Sequence, residues 1–238
     1  MFCQRWRMPA ILLSLLLLVQ AALAQVGWWK KYTSPGTDLT IRESHIVTDK
    51  GETEYHYFLQ AKGFPAGRKY IGAMRDLMSP ERLMGTGIRA VDDQGKLISG
   101  DGTEFELVIK DFLPGETLQL SILEEDTRIT NFVQITPIPL EGQDGPCHLY
   151  AILLDRLSYG YELHAAGFTP GKKIHFHGDS AGEVRDWKVK ANKDGSWFGM
   201  VFPAVKGKAS GVLRWQVEGD SCSPSVQIPW RNPDADKP

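Results

Sequence analysis

The stretch Tyr161-Glu162-Leu163-His164-Ala165-Ala166-Gly167-Phe168-Thr169-Pro170-Gly171-Lys172-Lys173 decides the architecture, because the chain has used the same phrase once before. Tyr57-Phe58-Leu59-Gln60-Ala61-Lys62-Gly63-Phe64-Pro65-Ala66-Gly67-Arg68-Lys69 carries the same features in the same order: a strand-like run, Gly-Phe, then a Pro/Gly turn. The implication is one structural unit used twice. A repeat of this kind says how a molecule is built and little about its task.

Outward from the phrase the correspondence continues. Upstream of Gly63, residues 39–48 read as a strand, Asp49-Lys50-Gly51 as a turn and 55–61 as a second strand. Upstream of Gly167, 147–154 and 161–166 repeat that pairing. Downstream, the turn Asp93-Gln94-Gly95-Lys96 matches Lys193-Asp194-Gly195-Ser196, and each copy closes on an alternating strand, 117–123 and 212–217. Gly63 to Gly95 spans 95 − 63 = 32 residues against 195 − 167 = 28, and the extra length falls near 78–87, where Ser79-Pro80 predicts a helical turn. In Leu213-Arg214-Trp215-Gln216-Val217 apolar and polar residues alternate, as in a half-buried strand. Phe198, Met200 and Phe202 alternate likewise, and on this reading they form the buried face and Trp197 points the other way. Short alternating strands between frequent turns predict an all-β sandwich or barrel.

The first residues predict export. Arg5 and Arg7 precede the apolar run 11–19, and Ala22-Leu23-Ala24 supplies a small-residue cleavage site. The run is about half of the ~20 residues a membrane span needs, so no span is expected after signal removal. Without the signal, 27 − 2 = 25 Lys and Arg face 29 Asp and Glu. That balance argues against a nucleic-acid partner. Two cysteines then remain, Cys147 and Cys222. In an oxidising compartment they read as a disulfide, the alternative being two free thiols or half of a metal site.

Gly167-Phe168-Thr169-Pro170-Gly171, a strand, Asp194-Gly195-Ser196-Trp197, then Pro, Gly and a final Val-rich strand together resemble the bacterial immunoglobulin-like repeats of exported and surface proteins. The second unit, about 145–230, carries the resemblance best; the first has Pro65-Ala66-Gly67 in place of the Pro-Gly turn. Cys147 on the first strand and the late position of Trp187 depart from antibody domains. The resemblance implies a tandem sandwich that spaces, displays or binds, and it implies no catalytic residue. The expected fold is therefore all-β: two tandem immunoglobulin-like antiparallel β-sandwiches after an N-terminal signal peptide. The expected layout is signal peptide 1–24, N-terminal tail 25–38, first sandwich 39–140, linker 141–146 allowing interdomain movement, second sandwich 147–232 and disordered tail 233–238.

Candidate chemistry centres on His175-Phe176-His177, whose imidazoles project from one face of a strand. With His164, expected on a neighbouring strand, and Asp179 they make a donor set suited to zinc or copper. Against this, exposed histidines also occur on any polar face, and no other cofactor is indicated. Trp28, Trp29, Phe64, Phe168 and Trp197 are candidate partner-binding aromatics. Gly85-Thr86-Gly87-Ile88-Arg89-Ala90 resembles a dinucleotide glycine pattern but lacks a preceding buried parallel strand, and Glu124-Glu125-Asp126 reads as a solvated turn. Ser-x-x-Lys and His-Glu-x-x-His do not occur. The expectation is a non-enzymatic interaction, assembly or adhesion module, in the periplasm or at the cell surface, binding an envelope protein or polysaccharide. The alternatives are a periplasmic zinc- or copper-binding protein and a cell-wall polymer hydrolase or lyase.

Overall fold

The computed structural model describes residues 33–76 and 83–232. The signal peptide, the helical turn expected after Ser79-Pro80 and the tail 233–238 therefore fall outside the described residues in whole or in part. Every regular element among the described residues is a strand, and none is a helix able to cross a membrane. The chain runs β1 (Asp38–Asp49), β2 (Glu52–Lys62), β3 (Tyr70–Asp76), β4 (Leu83–Gly85), β5 (Ile88–Val91), β6 (Leu97–Ser99), β7 (Glu106–Lys110), β8 (Leu118–Glu124) and β9 (Thr130–Ile135). It continues with β10 (Leu140–Asp144), β11 (Cys147–Asp155), β12 (Gly160–Ala166), β13 (Lys173–Ser180), β14 (Glu183–Lys190), β15 (Trp197–Val201), β16 (Ser210–Glu218) and β17 (Ser225–Arg231). All pairings are antiparallel.

Strand order repeats between the halves. The first half forms sheets β1-β2-β7 and β4-β3-β8-β9; the second forms β10-β11-β12-β15 and β14-β13-β16-β17. Removing β10 and the β5-β6 hairpin leaves the same three-and-four arrangement twice. Register agrees as well: Tyr57 faces Leu107 and Tyr161 faces Val201, while Met74 faces Leu120 and Gly178 faces Trp215. The Gly67 N–H donates to the Val91 carbonyl at 3.1 Å, and the Gly171 N–H to the Ala191 carbonyl at 3.1 Å. Gly63 and Gly167 hold φ of 74° and 82°, and a Cβ on either would collide with the carbonyl oxygen of Gly36 or Pro146. The repeated Gly-Phe thus marks the point where the chain turns from one sheet to the other against its own upstream backbone.

Each half buries its own apolar cluster. Leu59, Tyr70, Ile88, Leu97, Leu120, Ile122 and Ile135 fill the first, and Leu149, Tyr161, Leu163, Phe176, Trp215 and Ile228 fill the second. Alternation along β16 sets the pattern: Leu213, Trp215 and Val217 are buried, and Arg214 is exposed. The expected Cys147–Cys222 disulfide is present, with Cα atoms 6.1 Å apart. It joins the start of β11 to the loop between β16 and β17, so it ties together the two sheets of the second half.

The stretch 141–146 differs from the expected linker. Leu140–Asp144 is β10, paired with β11 from Leu140–Ala151 to Asp144–Cys147. Its alternating Glu141, Gly142 and Gln143 look like linker composition, yet Gly142 lies so close to the Ser225 carbonyl that a Cβ would collide. The halves also touch elsewhere. The Leu153 N–H donates to the Gly115 carbonyl at 2.8 Å, and Arg156 forks onto Glu116 through Nε–Oε1 and Nη2–Oε2 contacts of 2.6 Å each. Glu124, expected in a solvated turn, is buried, its carboxylate accepting from the Thr127 N–H and hydroxyl.

Candidate functional site

His175 and His177 do share the outer face of β13, with Ile174 and Phe176 turned into the core. Their charged partner comes from the neighbouring strand: Asp186 of β14 lies opposite His177. Its Oδ1 is 2.8 Å from His177 Nδ1 and 3.3 Å from His175 Nε2. Glu218 of β16 lies 3.6 Å from His175 Nδ1. The hydrogen bond that His177 donates to Asp186 raises the imidazole above its ordinary value, and the same bond lowers Asp186. Asp179 does different work, accepting the Gly182 N–H at 3.1 Å to close the β13–β14 turn.

His164 is not part of this group. It lies on β12, in the opposite sheet of the second half, its ring stacked on Tyr150 at 4.5 Å with Glu162 Oε1 3.2 Å from Nε2. Consecutive strands in a chain usually pair. Here the Gly167 turn carries the chain across the core between β12 and β13, and that crossing separates the three histidines.

The aromatic candidates also divide. Trp28 and Trp29 lie outside the described residues. Phe64 and Phe168 are buried core residues and present nothing to a partner. Phe64 meets Tyr70 edge-on at 5.8 Å. Trp197 is partly buried, its ring 4.3 Å from that of Phe176. Its neighbours take the opposite side: Phe198 and Met200 of β15, and Phe202 just past its end, are 46%, 41% and 49% exposed, whereas Val201 is buried. Alternation identifies which residues share a face, not which face meets the core. Both faces of β15 are apolar, so the sequence left that choice open.

β15 is an edge strand whose one partner among the described strands is β12. Edges are ordinarily guarded by charge, by irregularity or by a covering segment. Across the same sheet, the β10 edge is covered by β17 and by the Ser223 N–H donating to Asp144 Oδ2 at 2.6 Å. In the facing sheet, β14 carries Glu183, Arg185, Asp186, Lys188 and Lys190. Trp197–Val201 carries no charge at all.

The first half has the opposite character at the same place. Phe58 faces Glu106 as Glu162 faces Met200, and 58 + 104 = 162, so Glu106 occupies the position of Met200. Around Glu106 the sheet β1-β2-β7 gathers His45 and His56, one from each of the other strands. No motif spacing in the sequence marks this group. A signal existed in the hairpin itself: about a Lys50-Gly51 turn, paired residues sum to 101, and 45 + 56 = 101. Glu106 lies 50 residues from His56 and is brought in by sheet pairing alone.

No known protein family and no curated protein matches this chain.

Proposed function

We propose that this chain is an exported, non-enzymatic protein of two immunoglobulin-like β-sandwiches that acts as an interaction or assembly module in a bacterial envelope. The same three-and-four strand arrangement in each half, each with its own apolar cluster, supports the immunoglobulin-like reading. The signal-like start and the disulfide support export. The observation that carries the role is the uncharged β15 edge with Phe198 and Met200 exposed on its outer face and Phe202 exposed just past its end. Such a strand is suited to a partner that adds a strand of its own, with main-chain hydrogen bonds for affinity and alternate side chains for selectivity. A partner strand would also cover an edge of the kind that otherwise invites aggregation.

The triple variant Phe198→Thr, Met200→Thr, Phe202→Thr tests this reading. The three side chains are exposed, so the melting temperature should stay within about 2 °C, as for surface substitutions worth under ~0.5 kcal/mol. Binding of the partner recovered by cross-linking from envelope extracts should fall at least about thirtyfold, the loss of roughly 2 kcal/mol typical of an anchoring residue. Unchanged recovery by the variant would remove β15 from the role.

A further inference from the structure

The outer face of the first sheet carries a second and chemically different site. His45, His56 and Glu106 each present one donor atom, and the three atoms lie within 4.8 Å of one another. The His56–Glu106 separation is 2.8 Å and the His45–Glu106 separation 4.0 Å. Tetrahedral zinc with bonds of about 2.0–2.1 Å places its donor atoms roughly 3.3 Å apart, between these two distances. His45 is half exposed and stacks on His56 with ring centroids 4.7 Å apart, whereas His56 is held by carboxylates at both nitrogens.

What holds His56 matters. Glu106 stands at its Nδ1 and Glu54 at its Nε2, 3.3 Å away. A neutral imidazole has one N–H, so it satisfies one of two carboxylates and turns a lone pair to the other. With the proton on Nε2, toward Glu54, the Nδ1 lone pair faces the Glu106 carboxylate and a cation between them completes the arrangement. A carboxylate on the far nitrogen of a ligating histidine is the usual outer support of such sites. Lys110 binds Glu54 rather than Glu106, and that contact, followed by His56, keeps Glu54 below the usual carboxylate range.

The fold does not demand these residues. In the second half the register places Asp155 where the first has His45, Gly160 for His56 and Met200 for Glu106. The duplicated sheet is complete without any of the three. We infer that His45, His56 and Glu106 bind one divalent transition-metal ion of the zinc class, with Glu54 orienting His56. Two imidazoles and one carboxylate leave a fourth position for water or for a donor from a bound partner.

Isothermal titration of the untagged mature protein with zinc chloride, and separately with copper sulfate, tests the site. The expected result is one ion per chain with Kd of about 10 µM or tighter. His56→Ala and Glu106→Gln should each weaken it at least tenfold, and Glu54→Gln by roughly 10–100-fold. The double variant His175→Ala, His177→Ala should bind as the parent does. Tighter copper than zinc at the same residues also upholds the site, since affinity rises in that order. Zinc-induced shifts of the His45 and His56 imidazole NMR signals read the site without a variant. Binding weaker than ~100 µM for both metals, or binding lost with His175 and His177 and kept in His56→Ala, overturns the inference.

Discussion

Replacing both Cys147 and Cys222 by Ala should cost the second half about 4 kcal/mol and leave the first half's protection unchanged. The bridge closes a loop of 75 residues, for which the loss of unfolded-state entropy corresponds to ~4 kcal/mol. It lies wholly within the second half and ties the strand that begins one sheet to the loop that joins two strands of the other. Both cysteines border the second apolar cluster, and neither touches the first. Hydrogen exchange read peptide by peptide is the right probe, because it assigns the loss to a region. Peptides within 147–231 should lose protection by roughly a thousandfold, the equivalent of that energy. Peptides within 38–135 should keep theirs. Equal loss in both halves would mean a single cooperative unit and would defeat the duplicated-unit account.

Arg156→Ala should produce the next largest loss, about 3 kcal/mol. Glu116 is fully buried, and its carboxylate is satisfied by the Arg156 fork and by the Leu113 N–H at 2.9 Å. Arg156 also donates to the Asp111 carbonyl at 3.1 Å. Truncating the arginine leaves a buried charge with one donor, a change that costs roughly 3–5 kcal/mol when both partners are buried. Arg156 is about half exposed, which places the expected value at the lower end. In a chain of this size the melting temperature should fall by roughly 6–12 °C. The double variant Glu116→Met, Arg156→Met should recover most of the loss, because apolar replacement of both partners removes the stranded charge. A loss under ~0.5 kcal/mol for Arg156→Ala would class the pair as an ordinary surface ion pair and leave the junction between the halves without its clamp.

The duplication was legible because glycine and turn chemistry are local. Gly63 and Gly167 are needed wherever the chain folds back on itself this tightly, and the matched turns at Gly95 and Gly195 follow the same logic. Strand limits around β1, β2, β11 and β12 could be read from alternation, and the cysteine pair from compartment and count. What resisted reading depends on pairing between distant strands. The Gly167 turn looks the same whether the next strand joins its neighbour or crosses to the facing sheet, so sequence alone does not separate His164 from His175 and His177. Asp186 and Glu106 enter their histidine clusters through register alone. β15 misled for a different reason: with Trp197 and Val201 on one side and Phe198 and Met200 on the other, hydrophobicity does not select the inner face.

That same ambiguity underlies the role proposed for β15. A strand with a buried face needs one apolar side, and the second, exposed one is unexplained by folding. The two copies have diverged at this strand, acidic with histidines nearby in the first and apolar in the second.

Photo-cross-linking in living cells tests the proposed role most directly. A photoreactive amino acid is placed at Phe198 and, for comparison, at the equally accessible apolar positions Val184 and Ile71. The account predicts one discrete adduct from position 198 and none of that size from the other two. No adduct at 198, or the same products from all three positions, would contradict it.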